Sequence, residues 1–460
     1  MKVALCPCGQ EKIDCHRQEK GEYMKKILVL MLAIVGLVTV AACVEGEDKI
    51  IVQGVTDTEI IVGNTAATSG AFAFVGLPFN AGITAVFEAI NTEGGIAGRT
   101  LSFVTYDDGF DQATGITYTK RLIEEDQVFA LVGHFGTPTV GGTLDIIQDV
   151  GIPMVYAATG INALYFQESP GNPVMAVQPI YLTDGRVMTA RALYESLYGV
   201  DGDEPLPADA KIGVLHTTSD DGISIMEGIE LEAAFAGRED DFIYKPFSAE
   251  DTASLTTAIL ELQSDGVQAV IIASNQAPFK VAAGLMNTQG LHVPVFTSYV
   301  NADATSIDAE TNYQFDMYAN AWIDIVDPEG LFGFAQSYWD FVAIMTDAGY
   351  DGTVDGKPNY TANAFAMAGY IAASIFVEGL NRVGTDELTW ASYIEAMESE
   401  PISVPMGGFV DFGGGKRWGI ASMALLKLSP VFDPEDPTDR TGWNWTKVRD
   451  IEGIEEIQDK

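Results

Sequence analysis

Three short loops carry residue types from which a recognition site could be built, and each directly follows an apolar run. The first, Gly133-His134-Phe135-Gly136-Thr137-Pro138-Thr139, opens a predicted helix, with Thr137 expected as its N-cap and Pro138 at the first helical position. Free backbone N–H groups there would attract a carboxylate or another acceptor oxygen; the other reading is an ordinary capped turn. The second, Ala157-Ala158-Thr159-Gly160, combines small side chains that let a ligand approach the backbone with one hydroxyl, or is a plain turn. The third, residues 217–222, holds Asp220 and Asp221, which could present a carboxylate to a cation or amine. Asp-Gly after a strand is also a common turn. Catalytic arrangements are weak by comparison. His16, His134, His216 and His292 are scattered, and no Gly-x-Ser-x-Gly, His-Glu-x-x-His or phosphate-loop pattern occurs. Gly413-Gly414-Gly415-Lys416 reads as a hairpin turn, and His134, among glycines at a strand end, is expected to orient its loop rather than act as a base. Adjacent acids such as Asp107 and Asp108 are expected by chance among 65 acidic residues.

What surrounds these loops is a large acidic chain. Its net charge of -40 opposes binding to nucleic acid or to an anionic lipid surface, because repulsion acts before any contact forms. A hydrophobic content of 47% with 10% aromatics identifies a globular chain rather than a disordered one. Near the start, Lys25 and Lys26 precede an apolar stretch over 27–42 that ends in Val40-Ala41-Ala42 before Cys43. This is the pattern of a bacterial lipoprotein signal over 24–42, with Cys43 the lipidated first residue of the mature protein. An uncleaved anchor or an ordinary cleaved signal are the alternatives. The apolar stretch is short for a spanning helix, which needs about 20 residues. Residues 1–23 then read as an upstream mis-start; Cys6, Cys8, Cys15 and His16 within them could otherwise form a small zinc site. Without that segment Cys43 is the only cysteine, so neither a disulfide nor a catalytic cysteine is expected, and no metal or cofactor is implied.

The elements that must position the loops alternate. Strands are predicted at 59–64, 101–106, 128–133 and 152–157, and helices at 78–93, 112–125 and 138–149, with Pro78 in a first helical turn and Gly94-Gly95 as the stop. Ile83, Val86, Phe87 and Ile90 share one face of the first helix. A helix through 190–198 and an acidic loop at 201–210 separate this series from a second. There strands fall at 211–217, 241–247, 267–273 and 293–299, and helices at 222–235, 252–264 and 278–288. Apolar helices are also predicted at 339–348 and 362–380, and a glycine-rich turn at 407–415. Such alternation predicts an α/β fold of two Rossmann-like lobes built from parallel sheets, with ligands held beyond the carboxyl ends of the strands. The apolar loop 65–79, with Phe72, Phe74 and Phe79, either lines a cleft or packs beneath itself.

Ile90-Asn91-Thr92-Glu93-Gly94-Gly95-Ile96-Ala97-Gly98, Tyr106-Asp107-Asp108, Val132-Gly133-His134, Ala157-Ala158-Thr159 and Met406-Gly407 together carry a resemblance that covers nearly all of the mature chain. It resembles the type I periplasmic binding proteins, specifically the branched-chain amino-acid (leucine/isoleucine/valine) group that serves ABC importers. The resemblance implies lobes of residues 49–177 plus 322–406 and 178–321 plus 407–460, joined by crossovers near 176–180, 319–323 and 406–411, closing on one ligand. It places the ligand's carboxylate at Thr137, Thr139, Ala157 and Thr159, with Ala158 a further ligand contact, and puts Asp221, Gln276 and Val300 on the second lobe's side. This chain departs from the pattern where relatives place an acidic residue for the ligand's ammonium, since Val300-Asn301 stands there. Either Asp221 replaces that acid, or the ligand is an amide, a urea-like compound or a carboxylate. The expected function is a membrane-anchored, extracytoplasmic, monomeric binder delivering a small polar solute to an ABC permease without catalysis. A ligand-sensing domain reporting to a membrane receptor is the rival.

Overall fold

The computed structural model describes residues 52–164, 168–199, 202–325, 335–384 and 387–460. The readings placed on residues 1–51, namely the mis-start, the lipoprotein signal, Cys43 and the cysteine-histidine cluster, lie outside the described residues.

The first lobe alternates as its sequence predicts through β1 (Glu59–Ala66), α1 (Ala73–Thr92), β2 (Thr100–Asp107), α2 (Gln112–Glu124), β3 (Ala130–Val132), α3 (Thr137–Val150) and β4 (Met154–Val155), and adds β5 (Val174–Met175), where the sequence reading assigns no strand. These strands form a parallel sheet in the order β2-β1-β3-β4-β5. Helix α1 begins earlier than expected, so Pro78 lies inside it rather than in its first turn. Proline there removes one backbone donor, and a cost of that kind persists only where packing offsets it. Helix α1 is buried on the sheet through Val75, Phe79, Ile83 and Val86. It also crosses α9 (Ala364–Val383) so closely that a Cβ at Gly82 would stand 2.2 Å from the Ala366 carbonyl oxygen, and one at Gly369 would stand 1.9 Å from that of Phe79. Both helices are long and apolar enough to cross a membrane, yet both are mostly buried in the protein.

The second lobe begins with α4 (Tyr181–Tyr194) and continues with β6 (Ile212–Thr217), α5 (Asp220–Phe235), β7 (Phe242–Phe247), α6 (Thr252–Asp265), β8 (Ala269–Ala273), α7 (Gln276–Gln289), β9 (Val295–Thr297) and β10 (Met317–Ala321). The helix expected at 190–198 thus starts nine residues sooner, at Tyr181. Residues after 416, to which the sequence reading assigns no element, form a long antiparallel hairpin of β13 (Met423–Phe432) and β14 (Arg440–Glu452). It extends the sheet to seven strands in the order β14-β13-β10-β9-β8-β6-β7. Pro430 on the edge side and the acidic 433–439 turn mask this hairpin in the sequence.

The chain passes from β5 to α4 through residues 176–180 and leaves the second sheet after β10, reaching α8 (Gln336–Asp347) on the first lobe. It then runs through α9, α10 (Trp390–Ser399) and a short antiparallel pair, β11 (Ile402–Ser403) and β12 (Phe409–Val410), before returning. That return lies later than 406–411. Arg417 is fully buried, donates to the Asn172 carbonyl at 2.7 Å and pairs with Glu398, so residues 407–417 stay with the first lobe and the chain re-enters the second near Met423. The linking segments are tied to one another: the Asp324 N–H donates to Met406 O at 2.5 Å, and the Ile420 N–H to Val177 O at 3.0 Å.

Candidate functional site

The ends of the strands in both lobes meet at a cavity of about 930 Å³. Its wall includes Gly136, Thr137 and Ala158 from the first lobe, Tyr181, Asn275, Gln276, Tyr299 and Val300 from the second, and Trp322 to Ile325 from a linking segment. Of the residues expected to touch ligand, Thr137, Ala158, Gln276 and Val300 lie on this wall. Thr139, Ala157, Thr159 and Asp221 do not, and each has a stated structural engagement instead.

Thr137 is not the N-cap of α3. Gly136, at φ 100°, takes that position, because a left-handed residue is needed to turn the chain from the strand and glycine accepts it without strain. The Thr137 hydroxyl is therefore not used as a cap and bonds the Thr159 hydroxyl at 2.9 Å. Thr159 stands behind Thr137 and orients it. Thr139 is turned away, donating to Asp108 at 2.7 Å. Ala157 is fully buried, its N–H held by Met175 O at 3.2 Å.

Asp108, read as a chance acid, organises the first loop. Its carboxylate accepts from Thr65 at 2.8 Å, Thr139 at 2.7 Å and the Phe110 N–H at 2.9 Å. Burial pushes its pKa up against the pull of these bonds. Asp107 accepts the N–H groups of Thr68, Ser69 and Gly109; burial raises its pKa, but the Ser69 hydroxyl and these N–H groups outweigh burial and hold it below the usual range. His134 orients its loop, as expected. It is fully buried, and desolvation pushes its pKa down to about 3, so it stays neutral. The Thr65 N–H faces Nδ1 at 3.4 Å and the Thr119 hydroxyl faces Nε2 at 3.1 Å; Thr119 itself donates to Gly115 O, which assigns the imidazole proton to Nε2. With both ring nitrogens engaged and the side chain off the cavity wall, this ring positions its loop.

Asp221 does not face the cavity. One carboxylate oxygen accepts the Asn275 N–H at 3.0 Å and the Thr217 hydroxyl at 3.3 Å, and the other accepts Ser219 at 2.6 Å. It ties the start of α5 to the start of α7. Asn301 is buried too, donating to Thr297 at 2.7 Å and to Ser274 O at 3.1 Å. Val300 alone of that pair reaches the cavity.

Aromatic residues shape the interior, and of these the sequence reading named only Phe79 and Phe135. Phe110, Phe135, Phe79, Tyr156 and Trp322 form a chain of rings with successive centroids 6.5, 5.6, 5.9 and 6.1 Å apart, and all five lie on the wall. Phe72 stacks behind Phe110 at 3.9 Å and Phe74 meets the edge of Phe365, so of the three phenylalanines in the 65–79 segment only Phe79 lines the cavity. Tyr181 donates to Asn275 at 3.2 Å; burial first, and then the charge of Asp221, raise its pKa above that of an ordinary phenol. Tyrosines at the ends of apolar runs were the available signal, but periodicity assigns them to the strands.

The lobes also touch around the cavity. Asp303 accepts the Ala364 N–H at the start of α9 at 2.9 Å, and Asn162 accepts from the Leu182 N–H at 2.9 Å while donating to Glu227 at 2.6 Å. These contacts link the two lobes beside the cavity.

The profile of the periplasmic binding protein family matches residues 59–430. An amino acid binding protein of Pseudomonas aeruginosa is 28% identical over 94 residues, 20% of this chain and 25% of the relative. This chain's match thus spans about a quarter of that curated relative's length. Among solved structures, a fatty acid ABC transporter substrate-binding protein from Thermomonospora curvata superposes with a TM-score of 0.66 at 20% identity, covering 89% of this chain and 96% of that one. A possible leucine/isoleucine/valine-binding protein from Rhodopirellula baltica gives 0.65 at 18% identity, covering 82% and 95%. At these identities the superpositions establish the fold, while the profile covers most of the chain. The chain belongs to the periplasmic binding protein family, whose members bind solutes outside the cytoplasm.

Proposed function

We propose that this chain is the solute-binding component of an ABC importer, held at the outer face of a membrane through a lipid on Cys43. The observation that carries the reading is the cavity of about 930 Å³, walled by both lobes and a linking segment, because a ligand there holds the lobes together and its departure frees them. Thr137, Ala158, Gln276 and Val300 are its proposed contacts, with Thr139, Ala157, Thr159 and Asp221 supporting the loops from behind. The names of the similar proteins, which speak of amino acids and of a fatty acid, are consistent with small organic solutes. No catalytic step is assigned: His134, the one histidine in the site loops, is buried off the cavity wall with both ring nitrogens engaged.

The test is a thermal-shift screen of the full chain against amino acids, short amides, urea, carboxylates and sugars. A true ligand at 100 times its Kd stabilises by about 2.7 kcal/mol through mass action alone. A melting temperature unmoved by every class would refute solute capture.

A further inference from the structure

Three amide side chains on the cavity wall keep hydrogen-bonding atoms that the fold does not use. Gln178 belongs to the linking segment 176–180, and Asn275 and Gln276 stand at the start of α7. At 8%, 5% and 8% exposure, all three are more than nine-tenths buried. Their neighbours fix which end of an amide is free. The Tyr299 hydroxyl donates to Pro179 O at 2.7 Å, so its oxygen accepts from Gln178, whose Nε2 stands 2.9 Å away. Gln178 Oε1 is left as an acceptor. The Tyr181 hydroxyl donates to Asn275 Oδ1 at 3.2 Å, which leaves Asn275 Nδ2 as a donor. The Tyr181 and Tyr299 rings, 6.1 Å apart, join the two sides of this arrangement. Gln276 has neither side-chain atom bonded among the described residues. Unlike the Tyr156 hydroxyl, which is sealed from solvent, these free atoms keep accessible surface, and the surface these residues keep lies on the cavity they line.

The free atoms are thus one acceptor, one donor and one whole amide, and none carries a charge. A bound solute excludes water from them, so each must find a partner on the solute. A carboxylate only accepts and would leave Gln178 Oε1 facing another acceptor. An ammonium only donates and would leave Asn275 Nδ2 facing another donor. A neutral CO–NH group supplies one atom of each kind. An amino-acid zwitterion also presents both kinds, but it exchanges the hydration of two full charges for neutral partners, which is far less favourable than desolvating an amide.

We propose that the cavity selects a neutral amide, a solute whose CO–NH group is read by Gln178, Asn275 and Gln276 while its apolar body lies against the chain of rings from Phe110 to Trp322. This deepens the solute-binding reading and rests on it. Discrimination follows from the pairing itself, because a site built to hydrogen-bond one group rejects an analogue that leaves its buried polar atoms unpaired.

Probes that share one body test it by calorimetry on the full chain: 3-phenylpropanamide, 3-phenylpropanoate, 3-phenylpropylamine, the neutral but acceptor-only methyl 3-phenylpropanoate, and phenylalanine. The aliphatic pair is 4-methylpentanamide and leucine. The expected result is that each amide binds at least about tenfold more tightly than its counterparts. Gln276→Glu replaces an amide by an acceptor-only carboxylate of nearly the same size. It should weaken 3-phenylpropanamide about tenfold and strengthen 3-phenylpropylamine, a reversal that a residue serving only to pack would not give. Should that variant fold poorly, the wild-type comparison still decides. An acid, amine, ester or amino acid binding as tightly as its amide would overturn the proposal and leave solute capture standing. So would silence from these probes with a hit in the wider screen that lacks a neutral amide group, whereas a hit bearing one would support it. Silence from every compound in both sets would overturn both readings.

Discussion

Replacing Asp221 with alanine separates a structural carboxylate from a ligand-binding one. Removing it leaves the Asn275 N–H without its acceptor, and Asn275 is buried. An orphaned buried donor costs about 1–3 kcal/mol, and the lost bonds to a charged group are worth about 1.5–3 kcal/mol. Two terms reduce the sum: Ser219 can turn to Thr217, whose hydroxyl oxygen is already 3.1 Å away, and the buried charge no longer has to be desolvated. Acidic residues in the first turn of α5 also favour its helix dipole, by about 0.3–1 kcal/mol each. The net expectation is a loss of about 3 kcal/mol. Unfolding entropy of about 2 cal/mol/K per residue over the roughly 400 residues from Val52 to Lys460 gives about 0.8 kcal/mol/K, so the melting temperature should fall by about 3–4 °C. The assay is calorimetric melting with and without a bound solute, paired with solute titration. Affinity for amino acids and for their deaminated counterparts should change by the same factor. A variant that melts like the wild type while selectively losing compounds with an ammonium group would refute the reasoning and restore Asp221 as the partner of an amine.

Three further outcomes follow from described contacts or from the sequence. Asp184 is fully buried, and desolvation raises its pKa to about 6 against the opposing bonds from Ser298, Asn320 and the Tyr299 backbone. Because the folded protein holds this proton more tightly than the unfolded chain, its contribution is most favourable below about pH 4 and is lost as pH rises through about 6. Asp184→Asn should therefore gain about 3 kcal/mol on the wild type between those limits, read from urea midpoints; parallel profiles would count against it. Asp303→Ala removes the acceptor that joins the second lobe to the start of α9 and should weaken solute binding about tenfold. Small-angle scattering should show it more open, and unchanged affinity with unchanged scattering would exclude a closing role. Cys43→Ser should abolish incorporation of labelled palmitate and release the protein from membranes, whereas persistent labelling would place the lipid elsewhere.

The fold was legible because alternation is a local property. Ile83, Val86, Phe87 and Ile90 announce the buried face of α1, and the apolar runs announce the strands without any knowledge of what they pack against. The site was only half legible. Position at a strand end is local and pointed to Thr137 and Ala158, the resemblance added Gln276 and Val300, and all four line one cavity. Which way a side chain turns is set by neighbours far along the chain: Asp221 is claimed by an amide 54 residues away, and Thr139 by Asp108. Tyr156 escaped notice because its left-handed backbone takes it out of the strand to which an apolar pattern assigns it. Arg417, reaching back to Asn172, likewise moved the third crossing beyond where the glycines suggested.

The close pairing of α1 with α9 bears on a stage before folding. A protein that works outside the cytoplasm passes its membrane as an extended chain, and there Gly82 and Gly369 have no partner helix to hide either segment. Each stretch then faces the secretion channel as a candidate stop signal, judged on hydrophobicity alone. Asn80 answers to both demands. In the folded state it completes a triangle of hydrogen bonds with Asn64 and Thr105, each 2.8–2.9 Å long, and in transit the same amide makes residence in lipid less favourable. Export thus constrains the interior of this protein, and a core made uniformly apolar for stability would run against the passage that brings the chain to its place of work.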